Sequence, residues 1–287
     1  MTALLEPPDT DTPRAAAPSR ATTWLWVLPP LILVLLVVLY PLLRVFAESS
    51  AGGSWGAVIG SQVFRDALWR TVAIAATSTL GCLILGSFLA IVLAFVPFPG
   101  SSVVGRLIDT VLALPSFLVT LAFTFLYGSA GAVNAAISAV TGASSPLLNF
   151  LYTPAGVIAA EITFFTPFVV RPLLAAFALI PTAQLDVAAS LGASPSMVLR
   201  RVVLPDAWPA LAGGGSLVLL LTLNEFGIVL FTGAKGVITL PVLIYTRGIV
   251  TFDLPGAAVI ATVQVLLSLA LYWLYRVVFA RLTAERG

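Results

Sequence analysis

Apolar residues gather in six long runs separated by polar intervals: Trp24–Phe46, Thr71–Val96, Leu107–Tyr127, Pro154–Leu179, Pro209–Phe231 and Gly256–Phe279. Each reaches the roughly 20 residues that a helix needs to cross about 30 Å of hydrocarbon. In lipid the backbone must satisfy its own hydrogen bonds, and separate apolar runs of this length do so as helices, not as barrel strands. The pattern predicts an all-α, polytopic membrane protein with six transmembrane helices within residues 23–280. Residues 1–22, rich in Pro, Ala, Thr and Asp and without apolar periodicity, read as a mobile tail. Residues 281–287 read as a short polar end.

The intervals add detail. Val45-Phe46-Ala47 has a faint look of a signal-peptidase site, but the first run is longer than a signal core of about 7–15 residues, so an uncleaved span is expected. The interval 97–106, PFPGSSVVGR, reads as a tight Pro/Gly turn. The intervals 47–70, 128–153 and 232–255 hold Gly, Ser, Pro and short apolar pieces, and read as re-entrant or surface-lying caps. Counting Lys and Arg near span ends, a start from the inside places nine on the inner face (Arg14, Arg20, Arg106, Arg171, Arg200, Arg201, Arg276, Arg281, Arg286) and five on the outer (Arg44, Arg65, Arg70, Lys235, Arg247). That bias predicts cytoplasmic termini and puts the interval between spans four and five in the cytoplasm.

Composition narrows the chemistry. Of 287 residues, 60% are hydrophobic and 9% charged, against about 25% charged in a soluble domain. A net charge of +2 argues against nucleic acid as a partner. The absence of histidine removes Ser/His/Asp and Cys/His nucleophilic sites and the usual zinc sites. The single cysteine, Cys82, lies in an apolar run and reads as a space-filling thiol. Gly213-Gly214-Gly215 has neither a preceding strand nor a following Lys-Ser/Thr, so it is no phosphate loop. Close helix–helix approach is the better reading of it. No other phosphate-binding loop is found, so the chain reads as a non-enzyme with no catalytic residues, no metal site and no ATPase site of its own.

Ionisable residues at membrane depth are functional candidates because burying them is costly. Glu161 and Glu225 lie about seven and six residues, or about 10 and 9 Å, in from the outer ends of spans four and five. Ten residues separate Arg171 from Glu161, too far along one regular helix for the two to pair. With Asn224, the two glutamates read as bordering a hydrated path, against the plainer reading of hydrogen bonding between helices. Asp109 reads as a membrane-surface residue. Prolines 29, 30, 41, 115, 167 and 172 fall in or near spans, where each kinks a helix or merely fits its packing.

The most polar internal interval is DVAASLGASPSMVLRRVVLP, Asp186–Pro205, within a loop at 181–208. Thr182 can cap a helix through Asp186, Val187, Ala188 and Ala189. Gly192 breaks it, and Ser194-Pro195 starts a second helix bearing Arg200 and Arg201, which Pro205 closes. Two short helices with a glycine elbow form a knob that fits a groove. The alternative is a connector flat on the inner leaflet, with both arginines on lipid phosphates.

The spacing Asp186, Ala188, Gly192, Val202, Leu204, Pro205 resembles the EAA loop of ABC-importer permeases, with Asp for Glu and Val187 for the first alanine. The segments at Phe95–Ser101, Ala113–Gly131, Ala160–Leu173 and Asn224–Tyr245 are similar to permeases assigned to 2-aminoethylphosphonate uptake, extending the likeness over about residues 25–280. The resemblance implies a bacterial inner-membrane subunit whose loop docks into a separate ATPase that carries ATP and magnesium. It also implies a second permease, identical or different, and an extracytoplasmic solute-binding protein. Related permeases for iron(III), polyamines, thiamine and sulfate share the frame. An ion-coupled carrier is the rival class.

Overall fold

The computed structural model describes residues 20–50 and 53–284. Arg14, Arg286 and most of the tail lie outside them. The chain divides into two compact units, residues 1–47 and 48–287. No strand occurs among the described residues, and six segments are long and apolar enough to cross a membrane.

Helix α1 begins at Arg20 in the first unit and its last turn, to Ser50, belongs to the second; Pro29, Pro30 and Pro41 lie inside it. Its side chains from Trp26 to Tyr40 are exposed, as a lipid-facing segment requires.

The second unit continues with short α2 (Ser54–Gly60) and the long α3 (Gln62–Phe95). Ser61 caps α3 by accepting the Phe64 amide at 3.3 Å. Helix α3 therefore starts nine residues ahead of the expected Thr71 and extends about 51 Å, well beyond the hydrocarbon. Only Val96–Gly100 forms a non-helical turn after it, with Gly100 at φ 91°, because α4 (Ser101–Leu112) begins where the turn was expected to continue.

The third apolar run is not one helix. Pro115, at φ −62° and ψ 141°, separates α4 from α5 (Ser116–Tyr127), since it supplies no amide and disfavours a helical residue before it. A turn at 128–131 then leads to α6 (Ala132–Thr141). The buried Asn134 amide donates to the Gly128 and Leu148 carbonyls, and its oxygen accepts the Leu148 amide, all at 2.9 Å.

The fourth run crosses as α7 (Pro154–Phe165) and α8 (Pro167–Ala178). Pro167 interrupts the ladder without breaking the path, because Thr166 keeps helical angles and its hydroxyl donates to the Ile162 carbonyl at 2.6 Å. After α9 (Thr182–Ser190), helical structure is continuous from Pro195 to Leu223 through α10 (Pro195–Val198), a π turn (Leu199–Val203) and α11 (Leu204–Leu223). The fifth span thus ends eight residues before the expected Phe231. Short α12 (Gly227–Thr232) and α13 (Leu240–Tyr245), with a second π turn at Thr246–Val250, lead to α14 (Leu254–Ala284).

Helices α3, α7, α8 and α11 form the centre of this unit. Cys82, Val157, Ala160, Val169, Val170 and Val218 are buried between them. Lipid is as apolar as these side chains, so close packing rather than water exclusion drives such contacts. A Cβ at Gly214 would lie 3.1 Å from the Phe168 carbonyl oxygen and 3.3 Å from Val169 Cα, so α11 approaches the α8 backbone there. Gly213 faces open space, so the close approach expected of the three glycines belongs to its two successors. A second cluster joins Val58, Phe64, Leu240, Leu243, Val259 and Ile260 near the opposite end of α3 from Phe95.

Candidate functional site

The polar loop forms two helical pieces around Gly192. The Ala193 amide donates to the Ala188 carbonyl at 3.1 Å, and the Gly192 amide to the Ala189 carbonyl at 2.9 Å. These two bonds make a Schellman closure, whose turning residue must be left-handed; Gly192 has φ 79°. Asp186 is exposed, and its carbonyl accepts the Ser190 hydroxyl at 2.8 Å. Thr182 is the first helical residue and not the cap, because Pro181 takes the extended cap position. Ser194 does hold the cap position of α10, but its hydroxyl lies 3.2 Å from that of Ser196 instead of bonding the backbone.

Pro205 does not close the second helix. It sits in the first turn of α11, directly after the π turn, where a proline's missing amide is tolerated. The knob therefore opens straight into the fifth span. Val203 at its base is 2% exposed, Val202 and Leu204 are half-buried, and Pro205 is exposed. Arg200 and Arg201 share a cleft of about 460 Å³ with Ser194, Ser196 and Met197. An apolar groove of about 410 Å³ runs from the end of α3 (Ile91, Phe95) to Leu185 and Val198 on the knob. Val187 and Leu191, 59% and 83% exposed, are apolar tips that residue chemistry had not singled out.

The membrane-depth candidates occupy three different settings. Glu161 is fully buried on α7; neither carboxyl oxygen makes a hydrogen bond of good geometry, and the Ser78 side chain of α3 is its nearest polar neighbour. Glu225 lies in the break after α11; its Oε1 accepts the Ile228 amide at 2.8 Å and the Ser116 hydroxyl at 3.1 Å. It thereby caps α12 and ties the break to α5. Asn224 is exposed, donates to the Leu220 carbonyl at 2.8 Å, and has its side-chain oxygen 3.3 Å from Gln264 Nε2. Gln264 also donates to the Leu223 carbonyl at 2.7 Å, satisfying the end of α11. An amide in the middle of an apolar run was the available signal for Gln264. Ser116 had none, since its partner is 109 residues away.

Arg171 finds its partner on another helix: it pairs with Asp109 and donates to the Gly105 carbonyl at 3.2 Å, joining α8 to α4. Asp109 is therefore an ion-pair partner as well as a half-exposed residue. Among the described residues, no group of three His, Cys, Asp or Glu side chains could hold a metal ion.

A family model described as the binding-protein-dependent transport system inner membrane component matches residues 82–284. The chain belongs to this family. The permease is 47% identical over 264 residues to PhnU of Salmonella typhimurium (strain LT2), covering 90% of this chain and 92% of that one; the name of that protein places it as permease in a 2-aminoethylphosphonate transport system. It is 31% identical over 240 residues to the thiamine transport system permease ThiP of Brucella abortus (strain 2308), covering 82% of this chain and 43% of the other. Among solved structures, a chain of a bacterial ABC transporter that imports alginate superposes with a TM-score of 0.78 at 19% identity, over 90% of this permease and 96% of that chain. The protein is thus a multi-pass inner-membrane transport component, not an enzyme.

Proposed function

We propose that this permease forms half of the path by which a bacterial ABC importer takes up 2-aminoethylphosphonate, with ATP and magnesium bound on a separate ATPase subunit. The 47% identity over 90% of the chain to a permease named for that solute carries the substrate reading. The knob at 181–208 docks into a cleft of the ATPase through its exposed Val187, Leu191, Arg200 and Arg201. Gly192 holds its elbow, the carbonyls of Ala188 and Ala189 close it, and Val202, Leu204 and Pro205 join it to the fifth span. Both termini and the knob are cytoplasmic, in keeping with the arginine bias.

The lever that this reading needs is continuous. From Pro195 to Leu223 the helix covers about 44 Å, and it packs along α8 and α3. Closure of the ATPase subunits would move the knob, and a stiff helix would carry that motion to the break at Asn224–Glu225. Access then alternates between the cytoplasm and a docked solute-binding protein, with a second permease completing the path. Glu161, Asn224 and Glu225 border that path in this reading.

Growth on 2-aminoethylphosphonate as sole phosphorus source tests the substrate. Deletion of this chain in a strain without a redundant importer should abolish growth, and restoration of the chain should recover it. Unchanged high-affinity uptake in the deletion would overturn the substrate while leaving the permease class intact.

A further inference from the structure

At the end of α3 away from the knob, a groove of about 330 Å³ opens between α3 and the start of α7. Its α3 wall carries Asp66, Trp69, Arg70 and Thr77, and its α7 wall carries Pro154 and Ile158. Residues at i, i+3 and i+4 share one side of a helix, so Asp66, Trp69 and Arg70 project together. An Asp and an Arg four residues apart ordinarily can pair across a helical turn. Here they do not. Asp66 accepts only the Gln62 amide, at 2.8 Å on Oδ1, while Arg65 is engaged with Gln62 and the Gly60 carbonyl. The ion pairs among the described residues are Arg171–Asp109 and Arg247–Asp253. One groove thus holds an arginine fork and a carboxylate oxygen, both uncommitted, on either side of an indole that is 72% exposed.

We propose that this groove is a binding subsite for a small zwitterion, taking its oxyanion on Arg70 and its ammonium on Asp66 and the face of Trp69. The inference rests on the solute proposed above. The guanidinium offers bidentate donors to phosphonate oxygens. The indole face attracts an ammonium that the carboxylate also neutralises. Two carbons separate the charges of 2-aminoethylphosphonate, a span of about 5 Å, against about 6 Å of axial rise between residues four apart. Under the proposed orientation the groove faces outward, at the mouth where the solute arrives.

Thr77 lines the groove and is exposed, whereas the native Cys82 is fully buried, so Thr77→Cys gives a reporter thiol. The assembled transporter carrying Thr77→Cys, without binding protein, is labelled with a charged methanethiosulfonate. At four times its dissociation constant, 2-aminoethylphosphonate should slow labelling about five-fold, the factor by which unoccupied sites decline. Ethylamine and ethylphosphonate, each carrying one charge, should protect far less. Arg70→Gln and Asp66→Asn should each remove the protection, and the Asp66→Arg/Arg70→Asp exchange should restore it, which a folding defect would not do. Protection that persists in both single variants overturns the subsite. Uptake without any protection overturns it too, yet leaves the substrate reading standing. Neither uptake nor protection overturns both.

Discussion

Glu225 offers the sharpest test of how the fifth span ends. Replacing it with Ala removes the cap on the Ile228 amide at 2.8 Å and the acceptor of the Ser116 hydroxyl at 3.1 Å. A lost helix cap costs about 1 kcal/mol, and a lost side-chain hydrogen bond about 1 kcal/mol more. The Ile228 amide left stranded is buried and the Ser116 hydroxyl half-buried, so the total should reach about 2–3 kcal/mol. For a protein of 287 residues that is a fall of about 3–5 °C in the unfolding midpoint. Glu225→Gln is the control. Both bonds fall on Oε1, and a glutamine carbonyl can accept both, so it should melt close to the parent. A double-mutant cycle with Ser116→Ala should return a coupling of about 1 kcal/mol. The assay is thermal unfolding of the purified permease in detergent, followed by tryptophan fluorescence. Glu225→Ala melting with the parent, or Glu225→Gln melting as early as Glu225→Ala, would refute the capping account. Uptake by Glu225→Gln then separates the roles: normal transport removes the charge from the path.

Other perturbations follow from the same geometry. Gly192 has φ 79° with open space around its Cα, so a substitution there meets only backbone strain; Gly192→Val should cost about 1–2 kcal/mol and weaken ATPase association, while Gly192→Asn should be milder, as pull-down of the ATPase by the permease would measure. Asn134→Ala removes three hydrogen bonds of 2.9 Å from a residue 2% exposed and should destabilise the 128–148 segment by about 3 kcal/mol, seen as increased protease cutting there. Glu161→Leu replaces a buried carboxyl that makes no hydrogen bond of good geometry, with Ser78 its polar neighbour, and should raise the unfolding midpoint by an amount worth about 1 kcal/mol. Parallel uptake measurements with Glu161→Gln show whether transport needs that carboxylate, and normal rates would remove Glu161 from the path.

By itself the sequence determined the class of the protein and the design of its knob. Six runs long enough to cross lipid leave the backbone no alternative to helices, because hydrocarbon offers no other hydrogen-bond partners. Gly192 and the alanines before it spell a left-handed closure, which is local geometry and thus legible residue by residue. Where helices break was less legible. Pro115 separates two helices with an extended residue, whereas Pro167 interrupts the ladder only at Thr166, which keeps helical angles, and Pro205 begins a helix instead of closing one; a neighbouring hydroxyl and a π turn accompany the last two outcomes. Tertiary structure alone decided which polar side chains meet. Hydropathy made Leu223 and Phe231 parts of one run, yet Gln264 of α14 accommodates the end of α11 and Glu225 starts α12, bonds that span 41 and 3 residues. Arg171 reaches Asp109 in the same way, across helices that sequence order does not bring together. A buried polar group must find its partner wherever packing supplies one, and in this permease that partner is often on another helix.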